Sequence, residues 1–276
     1  MKNIKIASCQ MDVVDDKTRN ITHAIELIRE ASANNADLIT LPEMFNTPYA
    51  NNKFVENAES EDESPTLNAM CEVATAENIY LQCGSMAERE EDDIYNTAYL
   101  ISPDGEIIAK HRKMHLFDIN CNTMKFTESD TLTAGDEITT VKTPFARISI
   151  AICYDVRFNQ MWTLMNENDT DLVLLPGAFN KTTGPLHWQT LLRARAIDNQ
   201  FFVAATSPSQ VDNPFYVAWG HSMIVDPWGN ILSQADKKEE IIYSNLNPEL
   251  INSARDQIPI QVNKRDDIYK TVYVKK

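Results

Sequence analysis

The chain has 276 residues, 43% of them hydrophobic, and 40 acidic against 25 basic side chains give a formal charge of −15. That length and composition support a sizeable core in one large domain or two small ones, while the negative surface repels phosphate backbones and anionic headgroups and argues against nucleic-acid or membrane partners. Five cysteines without a CxxC pair speak against a disulfide framework or zinc ribbon, and with no apolar run of signal-peptide or membrane-spanning length the expected location is cytoplasmic.

Residues 4–10, IKIASCQ, read as a strand, and 18–35 as a helix with Ile21, Ala24, Ile25 and Ile28 at helical spacing. The strand DLITL follows, then a helix over 65–78, a strand at 79–83, and two strands joined at the Asp104-Gly105 turn. Further on come an apolar strand at 146–153, a helix in RFNQMWTLMNEN, the strand DLVLLP, a helix near 186–200, the buried strand FFVAATS and a hairpin turning at Trp228-Gly229-Asn230. Such alternation of strands and helices predicts the α/β class. No Pro/Gly/Ser-rich linker interrupts it, so residues 1–276 are expected to form one domain, with a C-terminal arm from about 258. The acidic stretches 56–64 and 88–93 are expected to be solvated loops or helix ends.

Two strings in these elements match, as two β-α-β units of one ancestry or as convergent strand vocabulary. The first strand ends IASC (6–9) and a later one IAIC (150–153); each is followed by a helix, by DLxxLP and by a downstream FN. The strings predict that Cys9 matches Cys153 and that Glu43 matches Gly177, one half keeping a carboxylate and the other a thiol.

Cys153 stands where an apolar strand gives way to YDVRF. A nucleophilic cysteine needs a base for its proton and a donor or cation for the oxyanion formed on attack, and Glu43 and Lys113 are candidates for those two tasks. Pro42 ends the ladder just before Glu43, so the carboxylate is expected to be held at a pocket floor by rigid backbone. Nucleotide-phosphate and serine-hydrolase motifs are absent. His111 and His115 have i, i+4 spacing, but Arg112 stands where a zincin helix carries glutamate, and no metal or cofactor is expected. His187 and His221 are expected to be structural hydrogen-bonding groups.

In their order and separation, LPEMF, HRKMHLFD and ICYDVRF resemble the Glu-Lys-Cys contexts of the nitrilase superfamily of carbon-nitrogen hydrolases. The likeness extends from IKIASCQMD to QIPIQVNKRDDIY and is greatest to the ω-amidase branch, in KMHLFDI, GAFNKTTGPLHWQTLLRARAIDNQ and YVAWGHSMIVDPWG. Cys121 and Met124, in NCNTMKF, depart from that branch and have no assigned task.

The resemblance implies an α-β-β-α sandwich, a catalytic triad of Glu43, Lys113 and Cys153, and a supporting role for Glu128. It also implies hydrolysis of the terminal amide of small dicarboxylic monoamides such as 2-oxoglutaramate and succinamate, and a homodimer or higher homo-oligomer. The backbone N–H of Tyr154 is a candidate oxyanion donor. A substrate carboxylate leaving water must be paired, for which Tyr49, Arg157, Lys181, Thr182 and Thr183 are candidates. Other readings are a deaminated-glutathione amidase, an N-carbamoyl amino-acid amidohydrolase, or a non-catalytic binding protein on the same scaffold.

Overall fold

The computed structural model describes residues 1–121 and 124–274; the side chains of Cys121 and Met124 lie outside the described residues. In chain order the first five strands are β1 (Ile4–Gln10), β2 (Leu38–Thr40), β3 (Tyr80–Glu90), β4 (Asp93–Ile101) and β5 (Ile107–Arg112). A hairpin of β6 (Asp118–Cys121) and β7 (Met124–Thr127) leads to β8 (Thr139–Lys142), β9 (Arg147–Ile150), β10 (Leu172–Pro176), β11 (Phe202–Thr206), β12 (Met223–Val225) and β13 (Ile231–Gln234), and β14 (Glu240–Leu246) is last. One six-stranded sheet has the order β14-β1-β2-β3-β4-β5 and the other β13-β12-β11-β10-β9-β8. In each, the three central strands are parallel and the flanking ones antiparallel.

The helices are α1 (Lys17–Ala33), α2 (Asn51–Asn57), α3 (Pro65–Glu77), α4 (Asn159–Glu167), α5 (Gly184–Asn199), α6 (Glu249–Gln257) and α7 (Ile260–Asn263). Asp16 caps α1 by accepting from Arg19 N–H, and Ser64 caps α3 by accepting from Leu67 N–H, with Pro65 at the first turn. Ala24, Leu27 and Ile28 of α1 and Leu67, Met70 and Val73 of α3 pack on Ala7, Cys9, Ile39 and Leu81, the outward face of the first sheet. The other face of the same strands, with Ile6 and Leu38, joins the core of the second sheet, which Trp162 of α4 and Trp188 and Leu192 of α5 cover. The layers are therefore α-β-β-α. Each fully buried Leu, Ile or Val contributes roughly 1.5–3 kcal/mol by leaving water. Among the described residues no helix is long and apolar enough to cross a membrane.

The two sheets repeat one plan. Asp37 accepts from Lys5 N–H through Oδ2 (2.7 Å) and donates its own N–H to Lys5 O (2.8 Å); Asp171 treats Arg147 in the same way (2.8 and 2.9 Å). Ile6 then pairs with Leu38 and Ile148 with Leu172, while Leu38 faces Tyr80 as Leu172 faces Phe202. The left-handed caps Asn78 and Gln200 close α3 and α5 alike. This register corrects the match drawn from the strings. With Ile6 equivalent to Ile148, Cys9 corresponds to Ala151 and Cys153 to Met11, two residues away from the IASC–IAIC alignment. Glu43 and Gly177 do correspond, each following its own LP.

The acidic stretches also differ from expectation. Glu59 and Glu88 are buried, and β-bridged to each other. Glu59 pairs with Lys17 and accepts from Ser64 and Thr66, and Glu88 pairs with Lys110 and Arg112. Burial would raise both carboxyl pKa values, but these cationic and hydroxyl donors outweigh it and hold them below the ordinary range. Past α6 the chain is largely exposed, including Val262, Ile268, Tyr269, Val272 and Val274.

Candidate active site

Each site residue lies just beyond a strand end. After β2, Pro42 passes the chain to Glu43, and the Pro42 carbonyl accepts from Ser85 N–H (3.1 Å). Gly84 (φ 64°) permits this approach, since a Cβ there would lie 2.2 Å from the Pro42 oxygen. Lys113 directly follows β5, its N–H on Asn96 O (2.8 Å) and its carbonyl accepting from Gly135 N–H (2.9 Å). Glu128 opens a short turn after β7, with Oε2 accepting from Phe117 N–H (2.5 Å). Cys153 stands three residues past β9 and opens the 3₁₀ turn Cys153–Arg157. Its φ of 44° is left-handed, which costs a non-glycine residue about 1–2 kcal/mol.

These groups converge. Lys113 Nζ lies 2.9 Å from Glu43 Oε1, 2.9 Å from Glu128 Oε1 and 3.2 Å from Tyr49 Oη, which occupies its three protons. Tyr49 Oη donates to Glu128 Oε1 (2.5 Å). Glu43 Oε1 also accepts from Asn96 Nδ2 (2.9 Å), Oε2 accepts from Ala178 N–H (2.8 Å), and the carboxylate is near enough to the Cys153 thiol for each to act on the other's proton affinity. Gly177, before Ala178, is where a side chain could not fit easily: a Cβ would meet the Trp188 ring at 3.2 Å and Cys153 Cα at 3.4 Å.

Glu43, Lys113, Glu128 and Cys153 are 1%, 0%, 0% and 4% exposed, so little water screens their charges. Burial pushes the Glu43 pKa above its ordinary 4.5, with Lys113 opposing and Glu128 adding. Burial also acts to lower Lys113, but Glu128 and Glu43 outweigh it and hold the ammonium protonated. The Cys153 thiol is pushed well up, by burial first and then by the charge of Glu43. Two carboxylates already share one ammonium, and a thiolate would add a second uncompensated negative charge. The Cys153 thiol is thus held neutral beside Glu43, whose carboxyl group is the adjacent proton acceptor.

The Carbon-nitrogen hydrolase family matches residues 5–256. The chain belongs to the carbon-nitrogen hydrolase family. It is 43% identical to mouse Omega-amidase NIT2 over the whole of both chains, and 42% identical to the chloroplastic Omega-amidase of Arabidopsis thaliana, covering all of this chain and 76% of that one. The crystal structure of Saccharomyces cerevisiae Nit3, a member of branch 10 of the nitrilase superfamily, superposes with a TM-score of 0.88 at 36% identity, covering 96% of this chain and 97% of that one.

Of the substrate-binding candidates in this carbon-nitrogen hydrolase, Tyr49 lies inside the charged network, and its ring meets Phe126 (5.6 Å) and Tyr216 (4.9 Å). Arg157 is half-buried over the rings of Phe179 (5.0 Å) and Tyr154 (5.7 Å), with Nη1 3.2 Å from His187 Nδ1. Among the described residues no carboxylate pairs with it. Lys181 is exposed and faces Asp212 at 3.8 Å, while the N–H groups of Thr182 and Thr183 bond Asn180 Oδ1 at the start of α5. His221 stacks on Trp219 (4.4 Å). A cavity of about 30 Å³ adjoins Glu43 and is lined by Tyr49, Ala178, Ser209, Asn213 and Tyr216 among others. Tyr154 is second in the Cys153 turn, whose own bonds are donated by Asp155 N–H to Ile152 O and Phe158 N–H to Asp155 O.

Sequence reasoning missed Asn96, the Ala178 N–H and Asp155. A buried asparagine in the apolar alternation of IYNTAYL is a readable signal for the first. A backbone donor carries none.

Proposed function

We propose that this chain hydrolyses the terminal amide of a small dicarboxylic monoamide, such as 2-oxoglutaramate or succinamate, through a Cys153 thioester. The observation that carries this reading is a buried Glu43 carboxylate, bound by Lys113 at 2.9 Å, beside the equally buried Cys153 thiol. Glu43 takes the thiol proton as sulfur attacks the amide carbon. The oxyanion is received by Tyr154 N–H and by Lys113 Nζ, which exchanges its longest bond, the 3.2 Å one to Tyr49, for the stronger charge-assisted one. Glu43 returns the proton to the leaving nitrogen, the C–N bond breaks and ammonia departs. Water then loses a proton to Glu43, attacks the thioester and releases the acid, and the sulfur regains its proton. The cavity beside Glu43 has the volume of one or two waters.

Arg157 suits the substrate's free carboxylate because it is half-buried and no acid among the described residues pairs with it. Exposed Lys181, with Thr182 and Thr183, suits a rim position. The similarity to proteins named ω-amidases over the full chain supports the same substrate class. Ammonia release from a panel of succinamate, an uncharged amide of equal length, N-carbamoyl-β-alanine and deaminated glutathione tests it. Succinamate should exceed the uncharged amide by ~10²-fold or more, since an unmatched Arg157 stays desolvated; equal rates would refute the carboxylate reading. We also propose a homodimer that covers the exposed apolar residues beyond α6, checked by solution mass at micromolar concentration.

A further inference from the structure

Asp155 lies two residues after Cys153 and is fully enclosed, yet among the described residues no lysine or arginine pairs with it. Its Oδ1 accepts from His115 N–H (3.0 Å) and His115 Nδ1 (2.8 Å), and its Oδ2 from Ile152 N–H (2.9 Å) and His111 Nε2 (3.4 Å). The two histidines flank Lys113, two residues to either side. Ile152 immediately precedes the nucleophile. One carboxylate therefore ties the backbone entering the Cys153 turn to the segment that carries the lysine.

The rest of the cluster is held as firmly. His111 Nδ1 meets Thr139 Oγ1 (3.2 Å), His115 stacks on Phe158 (3.6 Å), and Trp162 Nε1 donates to Asp155 O (3.0 Å). Burying a carboxylate without a lysine or arginine partner is costly, and such departures from ordinary packing rules concentrate where a site needs them. Here the need is plain: the left-handed Cys153 is strained, and the ends of two separate strands must keep sulfur and ammonium in register.

We propose that Asp155 is a positioning residue that sets the distance between Cys153 and Lys113, acting on the backbone before the nucleophile and on both histidines beside the lysine. This rests on Cys153 being the nucleophile. Loss of the brace lets the turn relax, and a displacement of about 1 Å between reacting groups costs ~10²-fold in rate.

Asp155→Asn tests the proposal, because its NH₂ must face a backbone N–H, that of His115 or that of Ile152, whichever way the amide is turned. The expected result is a ~10²-fold loss of kcat with KM changed less than about threefold, and alkylation of Cys153 by iodoacetamide slowed at least ~10-fold, with the far-UV circular dichroism spectrum unchanged. A merely structural role would lower Tm without separating kcat from KM or slowing alkylation. His115→Phe, which keeps the stack on Phe158 and removes the ring hydrogen bond, should lose about tenfold in kcat and decides the matter if Asp155→Asn does not fold. A folded Asp155→Asn with kcat and alkylation within about threefold of wild type overturns the proposal, as does His115→Phe with wild-type kcat. If Cys153→Ala retained turnover, the nucleophile reading would fail instead, and the alkylation rate would still report on the brace.

Discussion

Glu43 and Asp155 are both carboxylates at 1% exposure or less, both tied to Cys153, and their proton affinities move in opposite directions. For Glu43, burial dominates even though Asn96 Nδ2 and Ala178 N–H bond it: its ammonium partner is shared with Glu128, and beside it stands a thiol with a proton to give. For Asp155, burial would raise the pKa too, but the hydrogen bonds from His111 and His115, with Ile152 N–H, outweigh it and hold the group well below the usual carboxylate range. The difference teaches that burial alone does not assign a proton. The donor set does, and it makes one carboxylate an exchangeable base and the other a fixed anion.

The sharpest way to break this contrast is Glu43→Gln, which keeps the shape and removes the proton acceptor. Turnover should fall by ~10⁴-fold or more, measured as ammonia release from succinamate; activity within tenfold of wild type would deny Glu43 the role of base. A second test is the pH profile of kcat/KM. It should rise with pH through a midpoint above 4.5, where Glu43 loses its proton, while Asp155 is ionised throughout. A rate that fell steadily over that interval would contradict the assignment.

The smallest effect is on stability, and its sign differs for the two groups. Asp155, with a lowered pKa, stabilises the fold above its unfolded value of 3.8, and that contribution is lost as pH falls toward its folded value. Glu43, with a raised pKa, contributes below 4.5, and the contribution is lost as pH rises through its folded value. Urea unfolding should therefore show a shallower acid-side loss for Asp155→Asn than for wild type, at about 1.4 kcal/mol for each pKa unit removed. Parallel acid limbs in the two proteins would count against a lowered Asp155.

Much of this was legible from sequence because it lies in local strings. The strand IKIASCQ and the helices near 18–35 and 65–78 announce themselves by periodicity and caps, and Glu43, Lys113, Glu128 and Cys153 stand in family contexts. What was not legible is tertiary. A slip of two residues leaves every side chain on the same face of a strand, so the apolar pattern of IASC and IAIC cannot reveal that Cys153 matches Met11. Only the backbone bonds of Asp37 and Asp171 fix that register. Nor does a run of acids disclose which member folds inward: Glu59 and Glu88 meet lysines and an arginine from distant segments. Asp155 joins residues 40 and 44 positions away, and its neighbours His111 and His115 had suggested only a failed metal spacing.

Gly177 and Glu43 are equivalent places in two copies of one plan, and Ala178, just after the glycine, holds the glutamate. Two copies of the first half set face to face would oppose two carboxylates and offer no thiol after the strand. Two copies of the second would oppose two thiols with nothing to accept a proton. The chemistry thus depends on the difference between the halves: two identical halves would share the scaffold without it. Making one half uniform with the other would erase the site at these strand ends while leaving the aspartates that start the strands, and with them the sheet plan, in place.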